Sequence, residues 1–398
     1  MRDSAQARPI DNWFAGCQPA PHCRSLWLTY WRTYRAPQGP HGIYKLVRTR
    51  LTRRRAVVAL AILSLAVAGC ISASLHPPRL SKGTGPRDVD LYYAVAQRVH
   101  AGQAYYDALG GELRSRGYPT RSVFNWRTPL HLELIGHLPS LDWARVLLVL
   151  GAVCAIALSA AALCRDKRYG FACVQLVLLC VPLAITAMPH TFLFAEVWSG
   201  VLIAMSVGWY ALGWRYAGAA TGLVALFFRE LALPYALIGA FLAYRERRRT
   251  ELFVWLAGIG GYLIFLGLHA MAVLSRIPPS GGAPGMARWI QFGGLSFVIT
   301  TSRIGLLLAF PYWVAALYVP LAVLGLVRWP NPVASRVTAT VGAYLLAFSV
   351  VGAPSINFYW GAVYNPLLAF GATWAVPACR DIVRAALSPS RRYSGGNG

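Results

Sequence analysis

Charged residues are scarce in this 398-residue chain, since Asp, Glu, Lys and Arg together make up only 13% of it. Soluble globular proteins carry roughly 25%. Acidic residues are the scarcest, with 14 Asp and Glu against 38 Lys and Arg, which leaves a formal net charge of +24. The low charge excludes an ordinary cytosolic enzyme, and the hydrophobic content of 57% excludes a disordered chain.

The sequence also lacks the common motifs of nucleotide, zinc and hydrolase chemistry. Its eight cysteines form no C-x-x-C pair and no zinc-ligand spacing, and they do not form the framework of a disulfide-rich toxin. There is no Gly-Lys-Ser/Thr phosphate loop, no dinucleotide fingerprint, no G-x-S-x-G and no H-E-x-x-H. These absences favour a lipid-linked substrate over a nucleotide.

What the chain does contain is a series of long apolar runs. A helix needs ~20 apolar residues to cross a bilayer. We therefore predict an all-α, polytopic membrane helical bundle with about ten transmembrane helices. The runs cover residues 56–75, 141–163, 171–188, 197–212, 216–228, 231–244, 252–274, 304–327, 337–351 and 363–376.

The positions of the basic residues predict the orientation of the chain. With the N-terminus in the cytoplasm, most Lys and Arg fall in cytoplasmic segments, as the positive-inside rule requires. Because they lie in short loops between apolar runs, we expect them to face lipid headgroups and not nucleic acid. We predict a basic, disordered cytoplasmic tail over 1–55, a membrane domain over 56–383 and a cytoplasmic tail over 384–398. The expected location is the inner (cytoplasmic) membrane.

The first outer loop, residues 76–140, has helical periodicity of its own. Residues 88–99 predict a helix that begins at Asp88 and stops at Gly102. A second helix is expected over 108–116. A third, over 130–138, is too short to span and should lie on the outer membrane face. The apolar stripe of the first helix comprises Val89, Tyr92, Tyr93, Ala96 and Val99.

Two groups of residues in this region resemble a known family. The first is Asp88-x-Asp90-x-Tyr92-Tyr93-Ala94, followed by Gly102 and Tyr105-Tyr106. The second is Pro129-Leu130, followed by Trp143-Ala144-Arg145. Over about 90–145 the pattern resembles the GT-C superfamily of membrane glycosyltransferases. The second group is similar to the aminoarabinose-transferase and protein-mannosyltransferase branch, with Thr128 where that branch has a proline.

This resemblance implies transfer of a sugar from a polyprenyl phosphate to the hydroxyl of a lipid or glycan acceptor on the periplasmic face, by single displacement with inversion. The acceptor hydroxyl then needs a carboxylate base, for which Asp88 and Asp90 are the catalytic candidates. On a helix these two point about 200° apart, so that one could act as the base while the other is structural. The leaving phosphate needs arginines or a divalent cation such as Mg²⁺ or Mn²⁺.

Five further residues are candidates for binding the donor and its phosphate. Each also has a structural interpretation: an ion pair at a helix turn, an arginine reaching to headgroups, a hydrogen-bonded turn histidine, or an interfacial aromatic residue. They are Arg229, Glu230, Arg127, His190 and Tyr359.

Two other functions remain open from the sequence. A multi-pass transporter or lipid flippase would place ionisable residues near the bilayer midplane, whereas the acidic residues here cluster towards the outer surface. A non-catalytic envelope subunit would use the first outer loop only as an interaction surface.

Overall fold

The computed structural model describes residues 52–76, 88–277, 292–351 and 357–388. Within these residues all regular structure is helical and there is no strand, which confirms the all-α prediction. Most of the predicted tails, 1–51 and 389–398, lies outside the described residues. The tails are shorter at their inner ends than predicted, because the first helix begins at Arg53 and the last one ends at Leu387.

Fourteen α-helices are described, joined in places by short 3₁₀ segments. In chain order they are α1 Arg53–Leu75, α2 Asp88–His100, α3 Tyr105–Ser115, α4 Pro129–Gly136, α5 Asp142–Arg165, α6 Tyr169–Leu183, α7 Ala195–Ala211, α8 Arg215–Phe228, α9 Leu233–Arg245, α10 Arg249–Leu274, α11 Gly294–Thr301, α12 Tyr312–Arg328, α13 Ala334–Val350 and α14 Asn365–Leu387.

Among the described residues, four helical segments are long and apolar enough to cross a bilayer. They are Arg53–Leu75, Asp142–Arg165, Tyr169–Ala187 and Arg249–Leu274, and three shorter apolar helices, α8, α12 and α13, accompany them. In α1 and α10 only 11% and 17% of the apolar window is buried inside the protein. The remaining apolar surface points outwards, which indicates association with a membrane.

The apolar run over 304–327 is not one helix, contrary to the prediction. A 3₁₀ turn at Leu306–Ala309 precedes α12, which starts only at Tyr312. Gly305 has φ +90°, and a Cβ there would collide with the carbonyl oxygen of Val181. This close approach to the end of α6 interrupts the helix.

The first outer loop folds into the helices α2, α3 and α4, as the periodicity predicted. Gly102, with φ +88°, follows the end of α2 in the left-handed region. The buried stripe is rotated from the predicted one, because α2 packs against both α3 and α4. The buried residues of α2 are Leu91, Tyr92, Val95, Ala96 and Val99, while Val89 and Tyr93 are only partly buried.

The start of α3 differs from the prediction, whereas the start of α4 agrees with it. α3 begins at Tyr105, three positions before the predicted start at 108, and the Tyr105 hydroxyl donates to the Arg127 carbonyl at 2.7 Å. The short α4 begins at Pro129, directly after the N-cap residue Thr128, as expected for proline in the first helical position. These contacts hold the start of α4 against α3.

The central helix α7 connects two charged clusters. Most of its residues are buried, and its neighbours include α5 and α8. Glu196 in its first turn meets Arg229 at the end of α8, while Tyr210 in its last turn meets Glu251 at the start of α10. The helical rise places Glu196 and Tyr210 about 21 Å apart. The clusters therefore lie at opposite ends of the bundle.

Candidate functional site

The carboxylate of Asp88 is held by two tyrosines at the start of α2. Tyr118 donates its hydroxyl proton to Oδ1 at 2.9 Å, and Tyr359 donates to Oδ2 at 2.7 Å. Asp88 is half-buried. Because both oxygens accept a hydrogen bond, the carboxylate has a fixed orientation towards the interior of the site.

Close backbone packing places Tyr359 beside Asp88. Tyr359 belongs to the 3₁₀ segment Phe358–Val363, which lies against α7. A Cβ on Gly200 would collide with the Ala362 carbonyl oxygen, and one on Gly361 would collide with the Thr301 carbonyl oxygen. Glycine at both positions lets the segment approach α7 and α11 closely enough to direct the Tyr359 hydroxyl at the carboxylate.

Arg127, which precedes α4, connects Tyr359 to the interior. Its Nε donates to the Tyr92 hydroxyl at 2.8 Å, and its Nη2 donates to the Tyr359 hydroxyl at 3.3 Å. Nη2 also lies 3.9 Å from Oε1 of Glu196. Burial opposes the charge, but Tyr92, Tyr359 and Glu196 outweigh it and raise the pKa of Arg127 above its usual value. Arg127 is therefore a permanent cation.

Glu196 is shared between two arginines. Its Oε1 lies 2.8 Å from Nε of Arg229, and the side chains of Glu196 and Arg229 are only 3% and 4% exposed. Neither atom meets hydrogen-bond geometry with any described residue, so the contact is ionic but poorly aligned. Nη1 of Arg229 contacts Oε1 of Glu230 at 2.5 Å. A continuous polar path thus runs from Asp88 to Glu230.

A small cavity of about 10 Å³ lies beside this path, which is roughly the space that one water molecule needs. Its charged lining groups are Arg127, Arg229 and Glu196. His131 also lines it and shares the Phe192 carbonyl with the Trp198 indole, at 3.0 and 2.8 Å.

The histidine in the cavity wall is neutral. Burial, reinforced by Arg229 and Arg127, lowers the pKa of His131 to about 3. Its Nε2 therefore carries the proton that it donates to the Phe192 carbonyl. The positive charge in the cavity comes from the arginines.

The structure brings together five of the seven residues that the sequence singled out. Asp88, Tyr359, Arg127, Arg229 and Glu230 all belong to the polar path.

The other two lie beside it. Asp90 is half-buried in the first turn of α2. His190 is exposed with φ +61°, its ring lies 5.3 Å from that of Tyr93, and its carbonyl oxygen accepts from the Leu193 backbone N–H at 3.1 Å. His190 therefore lies outside the polar path.

Three residues of the path were not predicted. Tyr118 carries no signal in the sequence beyond a loop position, and Tyr92 was noted only in the apolar stripe and in the motif that carries the family resemblance, with no role of its own. Glu196 does carry one, because it is an ionisable residue at the start of an apolar run, where an unpaired charge is costly. Its partners Arg127 and Arg229 are distant in sequence, so that only the fold reveals the cluster.

The carboxylates of the site are engaged by phenol hydroxyls and guanidinium groups. Among the described residues, no three His, Cys, Asp or Glu side chains gather as metal ligands do. Both oxygens of Asp88 accept from tyrosines, and Glu196 and Glu230 contact arginine. The site combines one fixed carboxylate with the buried guanidinium group of Arg229 and the half-buried one of Arg127, a set that can accept a proton and bind an anion.

Comparisons with known proteins give no relative for this chain: no family model, no curated protein and no solved structure matches it.

Proposed function

We propose that this protein is a membrane glycosyltransferase of GT-C type that moves a sugar from a polyprenyl-phosphate donor to an acceptor hydroxyl. The observation that carries the proposal is the path from Asp88 through Tyr359 to Arg127. It joins a carboxylate that can accept a proton to guanidinium groups that can bind a phosphate. Both functions are needed in one site for this reaction.

The roles of the residues follow from their chemistry. Asp88 takes the proton of the acceptor hydroxyl as its oxygen attacks the anomeric carbon of the donor sugar. The bond from that carbon to the phosphate oxygen breaks on the opposite face, with inversion. Arg127 and Arg229 stabilise the negative charge that stays on the polyprenyl phosphate. Tyr359 keeps Asp88 and Arg127 in register, and Glu230 orients Arg229.

The proposed setting is an inner membrane that the chain crosses about ten times, with the N-terminus in the cytoplasm. The four long apolar helices and the three shorter ones support several crossings. The Asp88 end of α7 then faces the periplasm, and the Glu251 end faces the cytoplasm. A donor whose lipid chain lies in the bilayer can present its phosphate at the level of Arg127.

The test is a transfer assay with purified protein and a lipid-phosphate sugar. Asp88→Asn should lower the rate about 10²–10⁴-fold, the usual contribution of a general base. Asp90→Asn is made in parallel, because the two side chains point about 200° apart. The control is Asp142→Asn, which removes an exposed carboxylate from the first turn of α5. Full activity in both Asp88→Asn and Asp90→Asn would remove the catalytic proposal.

The same preparation separates the enzyme from a transporter or flippase. Proteoliposomes that move a lipid-linked sugar across the bilayer without turning it over would support transport. Turnover in detergent, where no two sides exist, would support the transferase.

A further inference from the structure

Glu196 lies where an anionic ligand of Arg127 and Arg229 would have to lie. Its Oε1 contacts both guanidinium groups, at 3.9 and 2.8 Å. Among the residues that line the cavity it is the one acidic side chain. A carboxylate between two arginines has the single negative charge and the pair of acceptor oxygens that a phosphodiester would present to them.

Between the described residues that line it, the site leaves little free volume for a second anion. The cavity holds about 10 Å³, which accommodates one water but not a phosphate group. A phosphate can therefore reach both arginines only if a lining group moves. Glu196 is the candidate to move, because its Oε1 contacts both arginines and its contact with Arg229 lies outside hydrogen-bond geometry.

Displacing Glu196 from the arginines affects its charge, because the side chain is buried. Its side chain is 3% exposed. Once phosphate takes over the two arginines, an ionised Glu196 would be a buried charge without a partner, which proteins avoid by neutralising the group. Glu230 also contacts Arg229, but it can stay ionised without that contact, since its side chain is 35% exposed and water can stabilise its charge.

We propose that Glu196 is an internal placeholder for the donor phosphate, and that it takes up one proton from solvent when the phosphate displaces it. The proton is released when the phosphate leaves and Glu196 returns to the arginines. This inference rests on the proposed function, because it assumes that Arg127 and Arg229 bind the donor phosphate. It adds that donor affinity falls as the pH rises.

The surroundings of Glu196 contain few other groups that could take this proton. His131 is neutral and already donates to the Phe192 carbonyl. From α5, which packs along α7, the charged residues Asp142 and Arg145 are exposed. The remaining groups on neighbouring elements are His190, which precedes the 3₁₀ turn Thr191–Leu193 beside α7, and Arg127, Arg229, Glu230, Asp88, Tyr92 and Tyr359.

The experiment measures binding of an isoprenyl methyl phosphodiester to the full-length protein in detergent. This probe keeps a single negative charge between pH 5.5 and 8.5, so that any pH dependence comes from the protein. Calorimetry in two buffers of different ionisation enthalpy gives the number of protons taken up. We expect about one proton for the wild type and a Kd that rises up to tenfold per pH unit.

Glu196→Gln removes the charge and keeps the shape. We expect it to bind the probe more tightly at pH 8, without proton uptake and without pH dependence. Glu230→Gln is the matched control, since it removes a carboxylate from the same Arg229 but should keep the uptake of one proton.

The outcomes separate the two proposals. Tight binding by the wild type with no proton uptake would overturn the placeholder and leave the proposed function standing. Proton uptake that persists in Glu196→Gln would also overturn it. Absence of binding by the wild type, at any pH, would overturn the proposed function and this inference with it. The wild-type measurement decides the matter even if the variant does not fold.

Discussion

The hydroxyl of Tyr359 donates to Oδ2 of Asp88 at 2.7 Å, although 271 positions separate the two residues. The same hydroxyl accepts from Nη2 of Arg127 at 3.3 Å. One phenol thus connects the carboxylate at the start of α2 with the guanidinium before α4. The late part of the chain thereby completes a site whose other residues come from its first two thirds.

This arrangement predicts that Tyr359→Phe lowers the transfer rate about 10–100-fold. A hydrogen bond to a charged group contributes about 1.5–3 kcal/mol, and its loss leaves Asp88 less well oriented. Steady-state kinetics should show the loss mainly in kcat. Tyr118→Phe is the comparison, because it removes the bond to Oδ1 and leaves the contact between Tyr359 and Arg127 in place. Equal kcat values for Tyr359→Phe and wild type would contradict the connecting role.

A second prediction concerns Gly200, which lets the Tyr359 segment approach α7. In Gly200→Ala the new methyl group would meet the carbonyl oxygen of Ala362, which is backbone and cannot rotate away. The segment must shift, and with it the hydroxyl of Tyr359. We expect a loss of transfer activity and about 1–3 kcal/mol of overpacking destabilisation. Gly260→Ala is the control, since nothing lies within 4 Å of a Cβ there. Denaturant unfolding and the transfer assay on both variants check this.

The sequence predicted the helical class and much of the polar path, but not how the path is joined. Asp88, Arg127 and Arg229 were identifiable because charges are rare in this chain and costly beside apolar runs. Tyr359 was predicted only as a donor-binding candidate or an interfacial aromatic residue, because its neighbours depend on how closely the glycines let backbones approach. The break before α12 has the same origin, in the contact of Gly305 with the end of α6.

The buried histidine predicts a pH dependence of stability. Burial lowers the pKa of His131 to about 3 in the folded state, whereas an unfolded histidine titrates near 6.5. Between these values the unfolded chain binds more protons, so that stability is full above about pH 6.5 and falls as the pH decreases towards 3, by up to about 1.4 kcal/mol per unit.

His131→Gln tests this dependence. Its amide nitrogen can still donate to the Phe192 carbonyl, but it does not titrate. The variant should lose less stability than the wild type between pH 6.5 and 5, as measured by thermal unfolding in detergent. Identical slopes for the two proteins would show that His131 is not the group responsible.

The charged cluster at the other end of α7 predicts an effect on stability without an effect on the site. Nη2 of Arg336 lies 3.3 Å from Oε1 of Glu251, and both side chains are at most 4% exposed. The guanidinium carbon of Arg336 lies 3.8 Å from the centre of the Tyr210 ring, and Tyr210 donates to the same Oε1 at 2.8 Å. Removing one partner leaves a buried charge unpaired, at a cost of about 3–5 kcal/mol.

We therefore expect Glu251→Gln to unfold at much lower denaturant concentration while binding the phosphodiester probe with wild-type affinity, because the helical rise separates the clusters by about 21 Å. Glu246→Gln is the matched control. Its carboxylate is 31% exposed and contacts Arg248 at the surface, where such a pair contributes about 0–1 kcal/mol. In the double variant Glu251→Gln, Arg336→Met, no charge is left unpaired and much of the stability should return. Equal stability of Glu251→Gln and Glu246→Gln would mean that the buried pair does not join α7, α10 and α13. A changed affinity of Glu251→Gln for the phosphodiester probe would mean that the two ends of the bundle are coupled.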